Sequence, residues 1–237
     1  MNNKEKTESE GAEVMKKLQK TAFTLAEVLV TLAIIGVVSA LTVPGLMNSY
    51  QKQTYITQLH KVYNEMSQAL TQYKTDRNAI NLFEAGLNSQ ENADTFIETY
   101  FKVINKCDTM APPCFANASE YKTLAGTSAV IGSGSTSYKT YTLASGAAIR
   151  PLYRLEGEKL INVLVDINGT KGPNIMGRDF FWLGIYNNGM IDDYSATASP
   201  PLSSTTRETL FTTYCQKGTG AEGCFGKILN DNWQMTY

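Results

Sequence analysis

Few side chains in this sequence can do chemistry, and their spacing argues against catalysis. The single histidine, His60, sits in a segment with helical periodicity and off its apolar stripe, where a solvent-facing position is expected rather than a ligand or a base. No Ser, His and Asp set forms a recognisable motif, and neither G-x-x-x-x-G-K nor H-E-x-x-H occurs. Asp192 and Asp193 are adjacent, so on a strand they point to opposite faces and make a poor acid and base couple. The chain is therefore not expected to be an enzyme. Four cysteines remain, Cys107, Cys114, Cys215 and Cys224, in two close pairs spaced C-x6-C and C-x8-C. Neither spacing is the C-x2-C of most zinc knuckles, and two local disulfides account for the pairs better than metal ligation or buried free thiols. Disulfides imply an oxidising compartment.

One loop gathers oxygen ligands. In "VDINGTKGPNIMGRD" the side chains of Asp166, Asn168, Asn174 and Asp179 are interleaved with glycines that let a chain bend around a hard cation, which makes calcium a candidate cofactor. The stretch lacks the twelve-residue calcium loop with its final Glu, and Asn-Gly and Gly-Pro-Asn are ordinary turn formers, so a structural turn is the competing reading. The "GSGS" at 132–135 has no strand before it and no helix after it, which a phosphate cradle requires.

Composition narrows the remaining classes. The 237 residues have room for one medium domain plus an extended element, and 21 basic against 22 acidic residues with no basic run exclude a nucleic-acid binder. The front end carries the strongest signal. Residues 1–22 are hydrophilic, with Lys16, Lys17 and Lys20 just before an apolar run, and from Phe23 to Met47 the only ionisable side chain is Glu27. Those residues as a helix reach about 37 Å, enough to cross a hydrocarbon core of roughly 30 Å. The lysines favour a cytoplasmic N-terminus and export of the chain beyond the apolar run.

A secretory signal peptide fits poorly: Val38-Ser39-Ala40 suits cleavage, but the preceding polar region is long and holds four glutamates, and Glu27 lies where apolar residues are wanted. For a plain membrane anchor, Glu27 costs about 2 to 3 kcal/mol without return. Cleavage between Ala22 and Phe23 gives the acid a partner. It creates an α-amine one helical turn before Glu27, and in neighbouring copies the amine of one can pair with the acid of another.

"KTAFTLAEVLVTL" with the apolar helix behind it resembles the prepilin cleavage and methylation motif of type IV pilins and type II secretion pseudopilins, over about residues 16–50. The resemblance implies removal of residues 1–22 by prepilin peptidase, N-methylation of Phe23, and packing of apolar helices into a filament core. The family usually has Gly before the cut, where this chain has Ala22. The resemblance further implies a bacterial inner-membrane protein, single-pass with its N-terminus in the cytoplasm, that enters a periplasmic or cell-surface filament. Its partners would be copies of itself, other pilins or pseudopilins, and the peptidase and methylase. Some pseudopilins bind calcium in their C-terminal loops, which bears on Asp166 to Asp179. Pili, secretion machines and competence systems share this front end. The alternative function is a membrane-anchored extracellular ligand-binding domain that does not polymerise.

These residues need a scaffold. Pro44 should kink or locally open the helix near the outer end of the apolar span, a position where the family often carries proline. Beyond it Tyr55, Leu59, Val62, Met66, Leu70 and Tyr73 recur at helical spacing, predicting one stem helix over 23–74, about 75 to 80 Å long, with a transmembrane half at 23–47. The head, 75–237, should hold a short helix near Ala93 to Val103. Consecutive strands begin at Tyr138, and Asn188-Gly189 sits at a hairpin turn. The expected class is α+β, pilin-like, with the long helix packed on an antiparallel sheet. The tail, pinned by Cys215 and Cys224, supplies Trp233 to seal the core.

Overall fold

A computed structural model describes residues 24–129, 131, 138–195 and 197–237. Helix α1 (Leu25–Asp76) runs without a break through Pro44, so the missing proline N–H removes one helical hydrogen bond but does not end the helix. Glu27 in the first turn and Lys74 in the last complement the helix dipole. The chain divides into two compact units, Met1–Ser49 and Tyr50–Tyr237. In the first, every described residue is exposed.

In the second unit, the rest of α1 buries Ile56, Leu59, Val62, Met66, Ala69, Leu70 and Tyr73, the anticipated stripe with two additions, while Tyr55 is only half-buried. These side chains share one core with Ile149, Ile161, Val163, Leu183 and Ile185 of the sheet. Helix α2 (Gln90–Tyr100) is N-capped by Ser89, whose hydroxyl accepts from the Asn92 N–H. It joins the stem through edge-on rings, Tyr73 against Phe96 at 5.1 Å.

The sheet is a six-stranded antiparallel meander in chain order. It comprises β1 (Val103–Cys107), β2 (Thr140–Leu143), β3 (Ala148–Glu156), β4 (Lys159–Asp166), β5 (Phe180–Tyr186) and β6 (Ile191–Asp192). This is the α+β, pilin-like architecture expected. Three details differ from the sequence reading. The helix near Ala93 ends at Tyr100 and the chain turns at once into β1, whose pairing partner β2 lies more than thirty residues downstream. At the β5–β6 hairpin only Gly189 has positive φ, 91°. Asn188 instead accepts from the Met190 N–H through its side chain, so the loop is a three-residue turn rather than a two-residue one. The tail folds as helices, α3 (Ser204–Leu210), a wide π turn (Phe211–Cys215) and α4 (Cys224–Asn230). The "GSGS" stretch lies outside the described residues.

Both cysteine pairs are bonded, Cys107 to Cys114 and Cys215 to Cys224. The first ties the end of β1 to the following loop, and the second joins the π turn to the first residue of α4. Trp233 sits at φ 59° and stacks against His60, ring centroids 4.2 Å apart, and edge-on to Tyr63 at 5.0 Å. His60 is exposed, as its place off the stripe implies, with the Trp233 ring of the tail against one face of it.

Candidate functional site

The exposed half of α1 is the first candidate. Leu25 and Leu41 are each 78% exposed, and Val28, Leu29, Leu32, Ile34, Ile35 and Val37 line the same segment with no protein cover. Helix α1 is long and apolar enough there to cross a membrane. Ala22 and Phe23, the expected cleavage pair, lie outside the described residues.

Glu27 is held by a partner that the sequence reading overlooked. Its carboxylate accepts from the Thr24 N–H at 2.8 Å and from the Thr24 hydroxyl at 2.9 Å, and the Glu27 N–H donates back to that hydroxyl at 3.2 Å. This is a capping box, in which two otherwise orphaned backbone donors at a helix start are satisfied reciprocally. The Thr-x-x-Glu spacing that makes it was visible in the sequence. Within one chain, then, the acid has a local task at the helix start.

The loop after β4 is the second candidate, and the fold brings Asp166, Asn168, Asn174 and Asp179 into one small region. Asp166 and Asp179 are fully buried. Asp166 Oδ2 accepts from the Tyr121 hydroxyl at 2.6 Å, and Oδ1 from the Asn168 N–H at 3.2 Å. Asp179 accepts from the Ile175 N–H at 2.6 Å, the Asn174 N–H at 2.8 Å and the Asn168 side-chain amide at 3.3 Å. Burial pushes the Asp166 carboxyl up to about 8, with the nearby Asp179 charge adding to the rise against the Tyr121 hydrogen bond, and burial raises Asp179 as well. Among the described residues no three His, Cys, Asp or Glu side chains gather as a metal-binding group. Gly177, at φ 86°, lies against the C-terminal disulfide; a Cβ there would meet Cys224 Sγ at 3.1 Å. The Tyr237 hydroxyl donates to the Gly177 carbonyl at 2.8 Å, so the loop is also fastened to the chain's last residue.

Asp192 and Asp193 do separate structural work. Arg207 clasps Asp192 with two bonds, Nη2 to Oδ2 at 2.6 Å and Nε to Oδ1 at 2.9 Å, while the Leu202 N–H donates to Oδ2. Asp193 is fully buried and accepts from the N–H groups of Tyr194, Gly223 and Gly226, the last two at the start of α4. Burial pushes the Asp193 carboxyl up to about 7 in spite of those three bonds. Arg207 and Tyr121 were missed in the sequence, since each acts on a carboxylate from another segment, 15 and 45 residues away.

Comparison with known proteins bears on the front end. Residues 18–43 match a family described as Prokaryotic N-terminal methylation motif, a window that contains Ala22, Phe23 and Glu27. Over 81 residues, 34% of the chain, the sequence is 33% identical to Type II secretion system core protein G of Aeromonas hydrophila. The matched stretch spans 56% of that relative's length. No solved structure matches. The chain thus carries the methylation motif on an apolar helix fit for membrane anchoring, and in part of its length it is similar to a pseudopilin.

Proposed function

We propose that this chain is a filament subunit, a pilin or pseudopilin, that assembles through the apolar half of α1. The observation that carries the reading is the pairing of a matched methylation motif with an uncovered apolar half of α1 whose only charge is Glu27. In this scheme the chain is inserted with its N-terminus in the cytoplasm and its disulfide-bonded unit outside. Prepilin peptidase cuts between Ala22 and Phe23, and the new Phe23 amine is methylated.

The mature helix then leaves lipid for the filament. Burying Glu27 alone among apolar helices would leave an uncompensated charge, a cost of several kcal/mol, unless an opposite charge meets it. The Phe23 amine of a neighbouring copy supplies that charge at the right height, one helical turn away. Thr24 holds the carboxylate until the neighbour arrives. Partners are other copies, related subunits and the processing enzyme, and the assembled product lies in the periplasm or at the cell surface.

Assembly is tested in a host that carries the matching peptidase and assembly machinery. Cysteines placed at Leu29 and Val37 should form intermolecular cross-links in the wild-type background. Blocking cleavage with Ala22→Leu should abolish them; cross-links of equal yield from the uncleaved chain would refute the proposal.

A further inference from the structure

The loop from Asp166 to Asp179 is where the resemblance suggests calcium, and the atoms there can be tested for fit. A calcium ion needs six to eight oxygens with free lone pairs at roughly 2.3 to 2.6 Å. Both carboxylates are instead engaged by hydrogen-bond donors. Tyr121 approaches Asp166 from a separate segment, and backbone N–H groups of Asn174 and Ile175 close on Asp179. The side-chain amide of Asn168 is the most telling group. Its Nδ2 donates both to the Gly172 carbonyl at 3.2 Å and to Asp179 Oδ2 at 3.3 Å, bridging two acceptors as a cation would. Turning that amide to offer oxygen would forfeit both of these bonds.

The amide oxygens of Asn168 and Asn174 have no partner, but two neutral oxygens fall well short of a calcium coordination shell. The cavity of about 280 Å³ beside Asn168 has Gly169, Thr170 and Lys171 in its lining and no carboxylate. The donor set does not fit a divalent ion.

We infer that the loop is a self-contained clasp, in which the Tyr121 hydroxyl, the Asn168 amide and backbone N–H groups hold Asp166 and Asp179 without any metal. The clasp fixes the turn between β4 and β5, where Asp166 pairs with Phe180, and seats Gly177 on the C-terminal disulfide. The loop from Asp166 to Asp179 therefore gains nothing from calcium and loses nothing to chelators. This property does not depend on the filament reading.

The test is thermal unfolding of the full-length protein in detergent micelles, with millimolar calcium and with EDTA. The wild-type midpoint should be the same in both. Tyr121→Phe should lower it by about 3 to 8 °C, equally in both, because a buried carboxylate loses its hydroxyl donor. A wild-type midpoint raised by calcium, or stoichiometric calcium in protein purified without chelator, overturns the inference. So does a Tyr121→Phe midpoint equal to wild type.

Discussion

Glu27 has two explanations that a single substitution separates. As the closing residue of a capping box with Thr24 it stabilises the helix start by about 1 kcal/mol, and glutamine serves that position as well as glutamate. As the partner of a neighbour's amine inside a filament, it carries a charge that glutamine cannot replace. Removing one member of a buried ion pair costs about 3 to 5 kcal/mol, because the other is left uncompensated. At about 1.4 kcal/mol per tenfold, Glu27→Gln should weaken each subunit addition by about two to four orders of magnitude. Glu27→Ala should do the same, with the capping loss on top. The assay is the fraction of subunit recovered in sheared, sedimented filaments against the fraction left in the membrane, by immunoblot. Circular dichroism in micelles checks that helix content is unchanged. If Glu27→Gln assembled like wild type while Glu27→Ala failed, capping would be the acid's role and the ion-pair reasoning would be refuted.

Other expectations concern the unit Tyr50–Tyr237. Arg207→Met should destabilise it by about 3 to 5 kcal/mol in urea unfolding, because Asp192 is almost fully buried, whereas Lys227→Ala, on a rim pair with Glu208 and Asp231, should cost under about 1 kcal/mol. Asp193 has a folded pKa raised above its unfolded value, so its contribution is complete below about pH 4 and is lost as pH rises through about 7. The unfolding free energy from urea titrations should fall between pH 5 and 8 by an amount on the order of a few kcal/mol, and a flat profile would show that Asp193 ionises freely in the fold. Replacing Cys215 and Cys224 together with serine should cost about 2.5 kcal/mol on the loop-entropy model, measured the same way, with an unchanged midpoint counting against it.

Local patterns carried much of this structure. The apolar run with its lone acid, the stem stripe from Leu59 to Tyr73 and the strands from Tyr141 to Ile185, apolar runs bounded by Gly, Asn or Asp, each declare themselves over a few consecutive turns or pleats. The close cysteine pairs belong to the same class, since their partners are near in sequence. What stayed hidden depends on distant partners. Strand β1, with Asn105 and Lys106 in its middle, becomes a strand only by pairing with β2. Helix α3, "STTRETL", is poor in strong helix formers, and it is held by the Ser203 cap and by Arg207 reaching Asp192. The clasp around Asp166 was readable as a loop of oxygen ligands, but the donor that meets it, Tyr121, belongs to a stretch that reads as plain connection. Thr24 is the exception, a local signal: Thr-x-x-Glu at the head of an apolar run is the spacing of a capping box.

The central claim is that processing exposes an amine at Phe23 for the acid at position 27 to meet. Intact-mass and N-terminal peptide spectrometry of the protein purified from its own host tests it most directly. The account predicts a polypeptide that begins with N-methylated Phe23 and lacks residues 1–22. A mature chain that still began with Met1, or one cut after Ala40, would contradict it.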